Sequence, residues 1–349
     1  MQTNNHEKEL MVQSYETNMG VKIFAIPMQI FPILRGYAYF IIDENFSPPR
    51  MTLIDTGSVS NESNAQLEAG LQWISEKISR KIEFSTLNEV LLTHGHIDHF
   101  GGCYLIRQKT SVPIIIHELD LRNLTNYEER IVVISKRLEE YLIEAGVEVN
   151  QREQYLDLYR MTKSLGKSIS NVTTYQQARK ELGRFEVLHL PGHCAGQVVI
   201  KLDNILFSGD MVLSHISPHQ SPEHLTLYTG LGHYIESLKY LKEWANGIDL
   251  TLAGHGPPIQ DLNRRIEEIQ KVHQERLDKV LDLFKQPQTI AQISNHLFGD
   301  VYGYNVLLAI EEAGAHVEYL YSRGYLEIEN LAELENNHAT VPIVYHRIG

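Results

Sequence analysis

At 349 residues with 43% hydrophobic content, the chain can fill one large core plus a small second unit. Its 31 Lys and Arg stand against 44 Asp and Glu, and the formal net charge of −13 repels phosphate backbones and anionic lipid, which counts against nucleic acid and membrane as partners. Two cysteines, Cys103 and Cys194, are too few for a disulfide scaffold, and the opening MQTNNHEKEL lacks the apolar segment of a signal peptide, so a cytoplasmic location is expected.

The polar stretch to about Asn18 reads as a frayed tail, with the first domain starting near residue 21. Strand-like runs follow at 22–30, 36–42 and 51–54, rich in β-branched and aromatic residues and separated by turn residues, which suggests antiparallel pairing. The run VKIFAIPMQIFPIL is broken by Pro27 and Pro32 and is too short to span a bilayer. A helix is expected over 65–78, where Leu67, Leu71, Ile74 and Ile78 share one face. Residues 89–92 and 113–117 read as short strands, with a helix start at 100–108 between them.

Between about 126 and 183 long helix-forming segments replace the strand and helix alternation, so this stretch reads as a helical insertion. Strands resume at 185–190, 197–202 and 205–208, followed by a helix over 234–245 and a strand at 249–253. Two groups of strands, each followed by helices, imply an α/β protein with a two-layer sheet core clad by helices. From about 262 the pattern is helical again, with helices near 289–297 and 305–322 and the strand-like YLEIE and VPIVYHRI, a winged-helix-like unit over 263–349.

The stretch THGHIDHF, Thr93 to Phe100, carries four metal-capable side chains directly after an apolar strand. In extended chain His94 and His96 face the same side, and Asp98 and His99 follow after the chain turns, where a second ion can sit. The same grammar recurs at three other strand ends: LPGHCAG with His193, FSGDM with Asp210 and LAGHGPP with His255. Random surface histidines do not gather at four strand termini, each beside glycines that permit close backbone approach.

HGHIDH, GHCAGQ, SGD and GHG, in this order and with LIDTGS (53–58) ahead of them, resemble the signature of the metallo-β-lactamase superfamily. The resemblance runs from about Val21 to Asp261. It implies a four-layer αββα sandwich over residues 21–262, interrupted by the insertion, with a metal site at the edge of its sheets. It further implies that His94, His96 and His193 bind a first divalent ion, that Asp98, His99 and His255 bind a second, and that Asp210 bridges them. Zinc suits these ligands best, with iron and manganese as alternatives. Asp55 resembles a residue that braces the metal loop through hydrogen bonds. The true β-lactamases typically carry cysteine at the position of Asp210, so the glyoxalase II, lactonase and ribonuclease-like branches fit better.

Two dications sharing Asp210 lower the pKa of a bridging water toward about 7, supplying a hydroxide nucleophile, and polarise the substrate oxygen. Asp98 is positioned to orient that hydroxide or to take its proton. The expected function is a dinuclear metal hydrolase acting on a small ester, thioester or lactone, with a phosphodiesterase or endoribonuclease as the alternative. The insertion, with Tyr127, Tyr141, Tyr155 and Tyr159, is expected either to cover the cleft or to form a homodimer contact.

His215, His219, His224, Tyr37 and Tyr228 are candidates for the substrate mouth, although solvation explains the histidines equally well and packing explains loop tyrosines more often. Cys103 and Cys194 read as small core residues. TGLGHY (229–234) reads as a helix cap rather than an anion site. From Lys271 to Gly349 six Lys and Arg face eleven Asp and Glu, so the helix over 305–322 is expected to pack against the catalytic domain or a partner rather than read nucleic acid.

Overall fold

The computed structural model describes residues 11–32 and 34–348. Two sheets carry the fold. The first contains β1 (Gln13–Glu16), β2 (Lys22–Phe31), β3 (Leu34–Asp43), β4 (Arg50–Ile54), β5 (Glu89–Leu91), β6 (Ile114–Ile116) and β7 (Val172–Thr174), side by side in that order. β1 to β4 pair antiparallel, and β4 to β7 pair parallel. The second sheet contains β8 (Glu186–His189), β9 (Val198–Leu202), β10 (Ile205–Gly209) and β11 (Leu250–Ala253), in the order β11-β10-β9-β8.

Parallel neighbours need crossover connections, and these supply the helices. They are α1 (Asn61–Lys77) before β5; α2 (Ile97–Phe100) and α3 (Cys103–Lys109) before β6; α4 (Leu121–Thr125), α5 (Tyr127–Glu144) and α6 (Val149–Lys163) before β7; and α7 (Leu231–Trp244) between the parallel β10 and β11. In each sheet the parallel strands end on a common edge, so the loops that follow them gather there. β8 lies antiparallel to β9, which lies antiparallel to β10, so β8 points the same way as β10.

Strand periodicity explains the layers. Ile23, Ala25, Tyr39, Ile41, Val198, Ile200 and Phe207 form one buried cluster between the sheets. Their alternate neighbours Phe24, Ile26, Phe40 and Ile42 pack outward against Leu67, Leu71 and Ile74 of α1. Val199 and Leu206 pack outward on the other side, against Leu238 and Leu241 of α7. Both faces of each sheet are therefore covered, giving the expected αββα order; each fully buried Leu or Ile contributes about 1.5–3 kcal/mol. Ser60 caps α1 by accepting the Ser63 N–H at 3.1 Å.

Two segments differ from expectation. The stretch read as a frayed tail includes β1, whose Gln13 and Glu16 pair with Ala25 and Lys22; the first ten residues lie outside those described. β1 is an almost wholly exposed edge strand, so it carries no apolar periodicity to betray it. The insertion at 126–183 is not all helix, because it returns as β7 beside β6. Three residues, two of them threonine, are too few to set an alternating pattern.

Beyond residue 262 come α8 (Leu262–Leu283), α9 (Ile290–Phe298), α10 (Asn305–Ser322) and the antiparallel ribbon of β12 (Leu326–Ile328) and β13 (Tyr345–Arg347), with α11 (Leu331–Asn336) between its strands. A single buried cluster runs from Leu138, Leu142 and Leu156 of the insertion through Leu238 and Ile266 to Ile293, Ile310 and Val317. The C-terminal segment is thereby built into the outer layer over the second sheet. α10 is not available to a groove, since Leu307, Ile310, Ala313, Val317 and Leu320 are all buried.

Candidate metal centre

All seven candidate donors converge at the sheet edge. His94 and His96 leave β5, His193 leaves the β8 end, Asp210 follows β10 directly and His255 lies two residues past β11. His94 Nε2 and His96 Nδ1 stand 3.0 Å apart, and donor atoms of His94, His96 and His193 all lie within 4.8 Å of one another. Donors of Asp98, His99 and His255 form a second group of that size. Asp210 sits between them: Oδ1 is 3.3 Å from His99 Nε2, while Oδ2 is 3.7 Å from His193 Nε2 and 3.6 Å from His255 Nε2.

Buried polar atoms without partners cost about 1–3 kcal/mol each, so proteins seldom leave them. Here His99 Nε2, His193 Nε2 and Asp210 Oδ1 are all buried and unpartnered, and all three face the same small space. The opposite ring nitrogens are tied down. His193 Nδ1 bonds the His219 carbonyl at 2.8 Å, His255 Nδ1 the Arg35 carbonyl at 2.6 Å, and His99 Nδ1 the Asp55 carboxylate at 2.8 Å. This arrangement fixes each ring with its free nitrogen inward, as metal ligation requires. Five imidazoles and two carboxylates, with no thiol, make a donor set suited to zinc, iron or manganese.

The electrostatics agree. Burial, joined by the neighbouring imidazoles, holds His94 and His96 well below the usual histidine range, so both keep a lone pair for an ion. Burial opposes the charge of Asp98 and Asp210, yet the histidines around them outweigh it and hold both carboxyls ionised. Burial opposes the charge of His99 too, but Asp210 and Asp55 outweigh it and raise its pKa, so a cation held there would have to displace that proton.

Asp55 occupies the bracing position expected of it. At φ 56° it adopts left-handed backbone that costs a non-glycine residue about 1–3 kcal/mol. From there Oδ1 accepts the Thr93 N–H and Oδ2 the Thr93 hydroxyl, both at 2.8 Å.

The mouth candidates divide. His219 is held by its carbonyl to His193 and by Nε2 to the Leu308 carbonyl of α10 at 3.0 Å, which makes it a support for a donor. His224 pairs with Glu144 at 2.8 Å, and His215 is exposed. Tyr37 lies beside the centre through its N–H to the Gly254 carbonyl, whereas Tyr228 is 48% exposed. The start of α7 is spent on packing, since the Gly230 N–H bonds the Gly192 carbonyl at 3.0 Å. Cys103 contacts Thr56 and Cys194 contacts Asp120, and neither thiol belongs to the donor groups.

Sequence reasoning passed over Lys163 and Tyr304, whose ammonium and ring lie 5.8 Å apart; the Lys163 charge acts on His96 and that of Asp98 on Tyr304. It also passed over Asp120 in IIIHELD, which follows a strand end just as the seven donors do.

The model of the metallo-beta-lactamase superfamily matches residues 36–283. A probable metallo-hydrolase of Bacillus subtilis, YqjP, is 25% identical over 286 residues, covering 77% of this chain and 84% of its own. A second from that organism, YqgX, is 24% identical over 253 residues, or 68% and 92%. Among solved structures, a metallo-beta-lactamase family protein of Thermus thermophilus superposes with a TM-score of 0.71 at 24% identity, covering 93% of this chain and 98% of that one. A beta-lactamase domain protein of Burkholderia ambifaria gives 0.70 at 21%, covering 96% and 93%. With the match spanning most of the chain and the converged donors behind it, this protein belongs to the metallo-beta-lactamase superfamily and is a metal-dependent hydrolase.

Proposed function

We propose that the chain binds two divalent ions, zinc foremost, and hydrolyses a small ester, thioester or lactone. The observation that carries this reading is the convergence of three buried, unpartnered donor atoms on one space lined by two donor groups. His94, His96 and His193 hold the first ion; Asp98, His99 and His255 hold the second; Asp210, facing both groups, links them. Ions bound there acidify water toward neutrality and polarise a carbonyl oxygen. Asp98, 3.5 Å from His255 Nε2 and the most exposed of the acids at the centre, is the group placed to take or orient a proton of the attacking water.

The helical layer shapes the substrate side. Lys163 from the end of α6 and Tyr304 from the start of α10 offer an ammonium and a phenol to a polar or anionic acyl group. α10 itself offers no face for reading nucleic acid, because its acidic side chains are used internally. Glu312 accepts the Gln220 N–H at 2.7 Å and pairs with Arg276, and Glu318 accepts the Glu223 and His224 N–H groups at 2.7 and 3.0 Å.

The test is a panel of thioesters, lactones and single-stranded RNA offered to zinc-loaded protein, with elemental analysis alongside. Turnover of an acyl substrate with two ions per chain is expected. Cleavage of RNA alone sinks the acyl reading, and fewer than two ions at saturation sinks the dinuclear one.

A further inference from the structure

Asp120 belongs to neither donor group, yet it is fully buried beside both of the loops that carry the three-histidine set. It closes a single turn after β6 (Glu118–Asp120). Its Oδ2 accepts the Gly95 N–H at 2.7 Å, and its Oδ1 accepts the Gly196 N–H at 3.1 Å. The Cys194 thiol donates across both oxygens, at 3.1 and 3.4 Å, and the Asn123 amide reaches Oδ1 at 3.5 Å. Gly95 lies between His94 and His96, and Cys194 follows His193 directly. One carboxylate thus joins a loop of the first sheet to a loop of the second.

The space around it is reserved for this purpose. A Cβ on Gly95 would lie 2.9 Å from the Asp120 carboxyl carbon, and one on Gly196 would lie 2.6 Å from it. Either would push the carboxylate off its donors. A main-chain bond, Val198 N–H to the Thr93 carbonyl at 2.8 Å, ties the loops at one end, and Asp120 ties them at the other.

We propose that Asp120 is a positioning residue that sets the separation of the His94–His96 and His193 loops, and so governs the three-histidine ion without touching it. The inference rests on the reading that the seven donors hold two ions. It predicts an asymmetry: Asp55 holds His99 directly and reaches His94 through Thr93, whose hydroxyl lies 3.1 Å from His94 Nδ1, and so bears on both groups, while Asp120 bears on the three-histidine group alone.

The experiment uses the full chain stripped of metal, as wild type, Asp120→Asn and Asp120→Ala. Asparagine keeps the volume of the side chain but turns an N–H2 toward one of the two loops. Zinc is titrated in competition with a chromophoric chelator, and cobalt(II) is followed by its visible spectrum. Asp120→Asn is expected to weaken one of the two sites about 10- to 100-fold, to alter the cobalt spectrum at that step and to leave the other site near wild type. If Asp120→Ala does not fold, Asp120→Asn decides alone. The inference is overturned if Asp120→Asn binds both ions as wild type does, weakens both equally, or lowers the melting temperature of the metal-free protein with no change in zinc affinity. Failure of the underlying reading looks different: wild type itself binds fewer than two zinc ions, or His94→Ala binds them unchanged.

Discussion

The edge where the strands end and the helical layer packed beside it, called the cover below, are built on opposite principles. At the edge, the donors follow strand ends directly or within the next loop and short helix, and short bonds to main chain or buried carboxylate brace the rings, so the strand ends set their geometry. In the cover, Lys163, His219 and Tyr304 come from α6, a loop and the start of α10, and only tertiary packing unites them. The edge should therefore govern ion binding and the chemical step, and the cover should govern which substrate is held.

The largest effect expected is at the meeting point of the two donor groups. Asp210→Ala removes the carboxylate that faces His99, His193 and His255, and several kcal/mol of transition-state stabilisation go with it, roughly 10³-fold or more in kcat. Full turnover in this variant would break the assignment. Next comes Asp55→Ala, which leaves Thr93 and the His99 ring unbraced and should cost about 10- to 100-fold in ion affinity, read by chelator competition.

Substitution in the cover should move a different quantity. Lys163 is close enough to add to the burial that depresses His96, and Tyr304 lies close enough to feel the charge of Asp98. Neither bonds a donor ring. Lys163→Ala should raise KM for an anionic or strongly polar acyl substrate about fivefold, the scale of one lost exposed charge contact of about 1 kcal/mol, while elemental analysis still finds wild-type metal. Loss of metal in that variant would merge cover and edge into one unit.

The same contrast decides what the sequence reveals. The sandwich was legible because sheets buried on both faces write long apolar runs, and the donors because each is a polar residue abruptly following such a run. β1 was hidden by its exposure and β7 by its brevity. Asp120 carried the signal of the donors, a metal-capable residue after a strand, but its bonds to Gly95 and Gly196 join loops about a hundred residues apart, which spacing alone cannot bring together. The role of α10 was half visible: its apolar stripe announced burial, while its acidic residues counted only against nucleic-acid reading and turn out to hold the loop that supports His193.

A separate effect concerns the cover alone and appears only on acidification. His273 of α8 and His316 of α10 are fully buried, with His273 Nδ1 3.3 Å from His316 Nε2 and His316 Nδ1 donating to the Glu312 carbonyl at 2.7 Å. Burial, aided by the Arg276 charge, brings His273 down to about 3; burial brings His316 to about 4 against the opposing pull of Glu312. Both folded values lie below the unfolded value near 6.5, so between those limits the unfolded chain binds protons that the folded chain refuses. The stabilisation is complete above about pH 6.5 and is lost as pH falls toward 4, at up to about 1.4 kcal/mol per pH unit for each ring. Urea unfolding of metal-free protein from pH 7.5 to 4.5 should give a shallower decline for the His273→Leu, His316→Leu double variant than for wild type, because the edge histidines titrate identically in both. Equal slopes would mean that this pair is not what makes the cover acid-sensitive.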